Sequence, residues 1–483
     1  RTSIIFLIFL MTVGMCLEML SLAMVIPILG LLNNPSLETN ITIVNNILSS
    51  LSNPKGNDLI LLGFLSLLII YFLKTIFFIF QSWKQTYFAT EMTARLSQRL
   101  YWVYQNQPWT FFYERNSAQL IQNVLGEVNH LMHGLILPAM ILITEILILF
   151  GICFLVIYIE PKISITMLIS MFCIFSIFYY SLRKPLLRWG EKRQYHDRFR
   201  MQNLQQGLGG IKNVKIYNKE EAFSKFYYSD NFSSARFSRY LAFFSLIPRY
   251  LFEFLAILVI SLIVFYLLSD KSYSDTIIPK VGFFAAVGFR ILPSINRINT
   301  ALQSVRFMYP VVDLLNREIN LEIERSPALK EVKSKNWNSI KIENIYFDYV
   351  NSAQTILEDI NIIINKGDNI GIIGESGSGK TTLIDIILGL LKPNSGCIYL
   401  DGESIYDNIK NWQSHIGYVT QEVFLMDLSL KKNIAFGIDE DDIDEEKVNE
   451  VIIKANLSNF VATLSDGIET IVGERGARIS GGQ

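Results

Sequence analysis

Gly374-Glu375-Ser376-Gly377-Ser378-Gly379-Lys380-Thr381-Thr382 decides how the C-terminal part of this 483-residue chain reads. The stretch fits G-x-x-x-x-G-K-[ST]. Its context is the one that pattern needs, because residues 369–373 before it read as a short buried strand and 383–391 after it as an apolar helix. Glycines let successive backbone N–H groups curl around phosphate oxygens, while Lys380 reaches the β- and γ-phosphates and the Thr381 hydroxyl offers Mg²⁺ a ligand. Residues 340–347 and 356–364 upstream alternate as strands. The expectation is an α/β phosphate-binding domain over residues 339–483.

Working outward towards the N-terminus, the character changes. The chain is 51% hydrophobic and only 18% charged, with a mean hydropathy of +0.31, which excludes a soluble single domain. Six stretches, 4–32, 59–80, 135–159, 163–182, 250–268 and 277–292, are long and apolar enough to span a bilayer. Net charge is −1, excluding a strongly basic nucleic-acid-binding chain, but it is unevenly divided. Residues 1–339 hold 32 basic and 21 acidic side chains, and the remainder 11 and 23. The reading is therefore an all-α transmembrane domain of six helices (1–316), a charged linker (317–338) and the α/β P-loop domain (339–483). Cys16, Cys153, Cys173 and Cys397 are isolated and suggest neither disulfides nor a metal site. Arg1 at the start and Gln483 at the end read as the ends of a fragment.

Basic residues crowd the 182–240 connection, whereas the 33–56 loop holds only Lys55. The long connections, 83–129 and 182–240, are then cytoplasmic helical extensions, and an even number of spans puts the P-loop domain on the same side. Ionisable residues fall within or beside the spans at Glu18, Lys74, Glu145, Arg249, Glu253, Arg290 and Arg297. Each is costly in hydrocarbon and is expected to face a cavity or a partner. Arg290 and Arg297, seven apart, share a helical face about 18 and 28 Å in from the outer end, with Lys74 at similar depth. Three cations around one cavity suit a phosphate or pyrophosphate head group. Internal pairing is the other reading: Arg249 with Glu253, and Glu18 or Glu145 against Arg290 or Lys74. For the Arg290 and Arg297 stripe both readings stand, since one cavity can hold both. His130 and His133 read as membrane-interface residues.

Further motifs around the P-loop resemble the nucleotide-binding domain of ATP-binding cassette exporters, in that family's order. Asn344-Ile345-Tyr346-Phe347-Asp348-Tyr349 is similar to the A-loop, with Tyr349 at the adenine-stacking position. Tyr418-Val419-Thr420-Gln421 resembles the Q-loop, where Gln421 would touch Mg²⁺ or the attacking water. Thr470-Ile471-Val472-Gly473-Glu474-Arg475-Gly476 looks like the exporter x-loop. Ile479-Ser480-Gly481-Gly482-Gln483 looks like the signature, with Ile for the usual Leu. The resemblance implies ATP and Mg²⁺ as cofactors, held by Tyr349, Gly374, Glu375, Ser376, Gly377, Ser378, Gly379, Lys380, Thr381, Thr382 and Gln421. Ser480, Gly481, Gly482 and Gln483 would close over ATP held by another subunit, so the chain would dimerise, most simply as a homodimer. Gln421 and Lys380 take catalytic roles, with Thr381 and Gln421 at the metal. The sequence stops before the expected Walker B carboxylate, catalytic Glu and switch His. The stretch itself would bind ATP without hydrolysing it, and a longer product would be an ABC-type ATPase coupled to transport.

Gly209-Gly210-Ile211-Lys212-Asn213-Val214-Lys215 resembles the second cytoplasmic loop of type IV exporters, with residues 190–200 expected as its coupling helix. Several membrane stretches resemble bacterial lipid-linked oligosaccharide flippases of the protein-glycosylation type: Glu18; Gly126-Glu127-Val128 with Glu145; Ile247-Pro248-Arg249-Tyr250 with Glu253; and Arg290-Ile291-Leu292-Pro293-Ser294-Ile295-Asn296-Arg297. This implies a half-transporter in the bacterial inner membrane. Lys74, Arg290 and Arg297 would contact a polyprenyl-pyrophosphate glycan, with Lys74 standing where the family has Arg. Residues 43–51 read equally as the external helix of such flippases or as a plain loop helix. Lipid A or peptide export is the alternative substrate class, and a nucleotide-gated channel or regulator with a degenerate ATPase is the alternative of another kind.

Overall fold

The computed structural model describes residues 2–25, 28, 57–159, 161–269, 277–323, 337–349, 355–421 and 423–473. The predicted external helix at 43–51, Glu474, Arg475, Gly476 and the signature residues lie outside them. The chain divides into two compact units, Arg1–Arg325 and Ser326–Gln483.

The first unit is helical. Its long helices among the described residues are α1 (Thr2–Ala23), α2 (Asn57–Gln105), α3 (Leu137–Ile159), α4 (Pro161–Gly209), α5 (Glu220–Ser269) and α6 (Ile277–Phe307), followed by the shorter α7 (Tyr309–Ile319). A run from Ser117 to Ile136 leads into α3 through two π-helical turns. By length and composition, Thr2–Ala23, Ile60–Gln105 and Ser117–Ile159 are apolar enough to cross a membrane. The predicted spans at 163–182, 250–268 and 277–292 lie within α4, α5 and α6. Pro185, Pro248 and Pro293 sit inside these helices, as neighbouring helices in a bilayer permit.

One core joins Leu22 of α1, Ile148, Ile152 and Val156 of α3, Phe252 of α5, and Phe283, Val287, Ile291 and Ile295 of α6. The four-residue spacing puts each set on one stripe of its helix. Phe72, Phe150, Phe154 and Phe172 point outward instead. That arrangement suits a lipid solvent, in which outward apolar groups carry no penalty. A second core, at the end where α2 finishes and α6 passes to α7, gathers Leu100, Tyr104, Leu131, Phe307, Val311 and Leu315. There α4 and α6 approach so closely that any side chain at Gly190 would strike the Phe307 carbonyl.

Here the structure corrects one expectation. Residues 190–200 form no separate helix at a turn; they lie within the 49-residue α4. Arg193 and Asp197 are 2% and 1% exposed, so the segment is committed to packing. The chain turns at Gly209 and Gly210, and the short tip helix is Ile211–Ile216.

The second unit is built on an antiparallel sheet in the order β2-β1-β3-β4, with β1 Ser339–Phe347, β2 Leu357–Asn365, β3 Ser395–Leu400 and β4 Glu403–Ser404. Strand β1 is central, pairing Ile342 with Ile362 on one side and Ile398 on the other. Its buried residues run Ile342, then Ile345 and Phe347. The phase slips by one at a bulge where Asn344 adopts φ +47°, because an extra residue moves the following side chains to the opposite face. The core beneath includes Leu383 and Ile386 of α8 (Lys380–Ile387). Trp412 donates its indole N–H to Ile387 O at 2.7 Å, satisfying a carbonyl in the last turn of α8.

A second correction concerns residues 369–373. They form no strand, and Ile370, Ile372 and Ile373 are exposed. A strand is buried only when neighbours pair with it, and among the described residues none does.

Candidate functional sites

Five of the seven charged membrane residues converge on one cavity of about 920 Å³ in the helical unit. Its lining includes Glu18 of α1, Lys74 of α2, Glu145 of α3, and Arg290 and Arg297 of α6. Lys74 Nζ donates to Glu18 Oε1 at 3.1 Å and to Ser21 Oγ at 3.3 Å. Arg290 Nε donates to the same Glu18 oxygen at 2.6 Å, and its Nη1 donates to Ser294 Oγ at 2.8 Å. Ser294 donates onward to Glu145 Oε2 at 2.6 Å, and Arg297 Nη1 donates to Glu145 Oε1 at 2.6 Å. Four helices are thereby tied through one chain of charge-assisted hydrogen bonds.

Of the two readings open for the stripe, internal pairing is therefore realised. Among the described residues it is incomplete in charge, since three cations face two carboxylates. The cations also differ in access. Lys74 and Arg290 side chains are 13% and 19% exposed, against 59% for Arg297. Arg249 and Glu253 pair with each other at 2.9 Å, apart from this network.

Sequence reasoning missed Gln81, Gln85 and Thr144, which line the same cavity. Gln85 Nε2 donates to Thr144 Oγ1 at 3.0 Å. Two amides at i and i+4 within an apolar helix were a usable signal, because such groups need partners in hydrocarbon. Ser294, one turn from Arg290, was another.

A buried network was also missed. Arg193 donates to Asp197 Oδ2 at 2.7 Å and Glu127 Oε2 at 3.3 Å, and Ser234 donates to Asp197 Oδ1 at 2.6 Å. It joins α4, α5 and the run before α3. His130 lies 3.7 Å from Asp197 Oδ2, so it belongs to this network. At the start of the predicted linker, Glu318 is fixed by Arg115 at 2.6 Å and by the Tyr104 hydroxyl at 2.9 Å.

In the second unit the P-loop precedes α8 directly. Gly377 and Gly379 both take φ +85°, a conformation that side chains rarely adopt. Lys380 Nζ donates to the Gly374 and Glu375 carbonyls at 2.9 and 2.6 Å, and Ser378 N to Glu375 O at 3.2 Å. The ammonium thus braces the loop from within. The helix opens with the hydrogen bond from Leu383 N to Gly379 O. The N–H groups of Lys380, Thr381 and Thr382 consequently have no partner within the helix, as at any helix start. Ser376 and Thr381 are exposed.

The Tyr349 hydroxyl lies 3.3 Å from Thr382 Oγ1, which brings the expected adenine-stacking ring to the loop. Gln421 is exposed on a bend and makes no hydrogen bond to the loop among the described residues. Ser480, Gly481, Gly482 and Gln483 lie outside those residues. These groups fit a nucleoside triphosphate: N–H groups unpaired within the helix, an ammonium, an exposed hydroxyl and an aromatic ring.

Two family models match the chain, the ABC transporter transmembrane region over residues 3–278 and the ABC transporter domain over residues 357–483. The chain belongs to the ABC transporter family. This ABC transporter chain is similar to the ATP-dependent lipid A-core flippase of Ralstonia nicotianae, 23% identical over 77% of the chain and 63% of the relative. It therefore spans less than two thirds of that relative's length. The ATP-dependent lipid A-core flippase of Syntrophus aciditrophicus is 24% identical over 87% of the chain and 69% of its own length. Among solved structures, a bacterial Atm1-family ABC exporter with ATP bound matches with a TM-score of 0.80. That match covers 100% of this chain and 82% of the other at 16% identity. The likeness supports the fold: a helical transmembrane region followed by a nucleotide-binding domain with a sheet.

Proposed function

We propose that this ABC transporter chain is half of an ATP-driven flippase for an amphipathic lipid with an anionic head, a lipid-linked oligosaccharide pyrophosphate. The observation that carries the reading is the cavity, where among the described residues Lys74, Arg290 and Arg297 outnumber Glu18 and Glu145 and leave one positive charge in surplus. An uncompensated cation at membrane depth is costly unless an anion visits it. Lipid A is the second reading, favoured by the names of the two flippase relatives.

ATP, with Mg²⁺, would supply the driving energy. Lys380 and the N–H groups of Lys380, Thr381 and Thr382 would hold its phosphates, the Thr381 hydroxyl would ligate the metal, and Tyr349 would stack on the base. Gln421 would sense the metal or the attacking water. Ser480, Gly481, Gly482 and Gln483 of one copy would close over nucleotide held by the other, making the working unit a homodimer. It would sit in the bacterial inner membrane with its nucleotide-binding domain in the cytoplasm.

The test is ATPase activity of the full-length protein in liposomes, titrated with undecaprenyl-pyrophosphate glycan. Stimulation that is lost in Arg297→Ala supports the reading. An ATPase indifferent to lipid and substitution contradicts it, and stimulation by lipid A alone moves the substrate to the second reading. Arg297 is a better probe than Arg290, whose removal also strips partners from buried Glu18.

A further inference from the structure

The two carboxylates of the cavity are held differently. Glu18 receives Lys74 and Arg290 Nε on one oxygen, while its side chain is 2% exposed. Glu145 Oε1 is held by Arg297 Nη1 at 2.6 Å, whereas Oε2 accepts from Ser294 at 2.6 Å and lies 3.6 Å from Arg290 Nη1.

Arg297 spends one of a guanidinium's five N–H donors on this bond. Its exposed side chain also lines a neighbouring cavity of about 320 Å³ with Asn296 and Thr300.

From this geometry we propose that Glu145 is a resident counter-ion, exchanged on Arg297 for a phosphate group of the lipid head. Two features make the exchange cheap. Glu145 keeps the Ser294 hydroxyl when Arg297 leaves it, and Arg290 Nη1 stands close enough to shorten its contact and take up the released charge. A buried carboxylate stripped of its only partner is strongly unfavourable; Glu145 has a replacement in place. Arg297, meanwhile, offers a phosphate two donors at once through its planar fork. Glu145 is thus a positioning and specificity residue that sets how strongly an anion must bind to displace it. Glu18 is the fixed anchor. This inference rests on the head-group reading above.

The experiment measures ATPase activity of the full-length protein in neutral-lipid liposomes against undecaprenyl-pyrophosphate glycan concentration, with uncharged polyprenol as the tail-only control. Glu145→Gln removes the competing charge. It should lower the half-maximal lipid concentration about fivefold, equivalent to about 1 kcal/mol. In an Arg297→Ala background, where stimulation is lost, the same substitution should not restore it. A merely structural role for Glu145 predicts lower thermal stability and a reduced rate with no gain in apparent affinity.

Glu145→Asp, which retains the charge but withdraws it by one methylene, is the second variant. It should shift the concentration in the same direction by less. An unchanged or raised half-maximal concentration in both variants, with Arg297→Ala still impaired, overturns the exchange and leaves the head-group site standing. Equal responses to the polyprenol and the charged lipid overturn both.

Discussion

Arg290 Nε and Glu18 Oε1 lie 2.6 Å apart although 272 residues separate them in the chain. The contact joins α6 to α1, and Lys74 of α2 shares the same oxygen. The cavity is therefore closed by charge as well as by packing. Removing one member of a buried ion pair costs about 3–5 kcal/mol, because the other is left uncompensated. Glu18→Ala should accordingly lower the thermal unfolding midpoint of the purified protein clearly, and Glu18→Gln, which can still accept hydrogen bonds, by less. Equal midpoints for wild type and Glu18→Ala would refute the anchoring role.

Arg193 makes the corresponding prediction for the second network. With its side chain 2% exposed between Asp197 and Glu127, it balances two buried carboxylates. Arg193→Ala should destabilise by about 3–5 kcal/mol. Arg95→Ala, which breaks an exposed pair with Glu91, should cost no more than about 1 kcal/mol. Thermal unfolding of the two variants side by side checks the contrast.

In the second unit the loop geometry is testable at Gly379. Its φ is +85°, and a Cβ there would stand 2.9 Å from Leu357 Cδ2. Gly379→Ala should cost at least about 1 kcal/mol in backbone strain alone and weaken ATP binding by distorting the loop. Binding of a fluorescent ATP analogue at unchanged affinity would show that the loop tolerates the side chain.

Lys380→Ala removes the ammonium that braces the Gly374 and Glu375 carbonyls. A charge-assisted hydrogen bond contributes about 1.5–3 kcal/mol, so ATP affinity should fall about tenfold to a hundredfold. Lys392→Ala, outside the loop, should leave it unchanged. The same binding titration separates the two.

Much of this was legible in the sequence because it depends on local pattern. Apolar runs long enough to span hydrocarbon announced the helices, and Gly374 through Thr382 announced the loop and α8. Arg290 and Arg297 share a face because seven residues are nearly two helical turns. What could not be read were distances between helices. Nothing local says whether Glu18 or Glu145 reaches Arg290; in the structure Glu18 meets Arg290 and Lys74, while Glu145 meets Arg297 and stands 3.6 Å from Arg290. Residues 369–373 misled because an apolar β-branched run reads as a buried strand whether or not a neighbour pairs with it. The expectation of a coupling helix at 190–200 comes from the resemblance of residues 209–215 to an exporter loop, and local pattern does not say that Arg193 and Asp197 are buried within one continuous helix.

Passage of an anionic lipid head across the membrane by way of this cavity would be seen in a flipping assay. Proteoliposomes carrying the full-length protein would be loaded with labelled undecaprenyl-pyrophosphate glycan, and ATP-dependent loss of label from the outer face would be followed with time. Wild type should translocate the lipid, with Arg297→Ala and Lys380→Ala both reduced to the protein-free rate. Undiminished translocation by Arg297→Ala, with Lys380→Ala inactive, would show transport that bypasses the cavity's most exposed cation and refute its role as the head-group site.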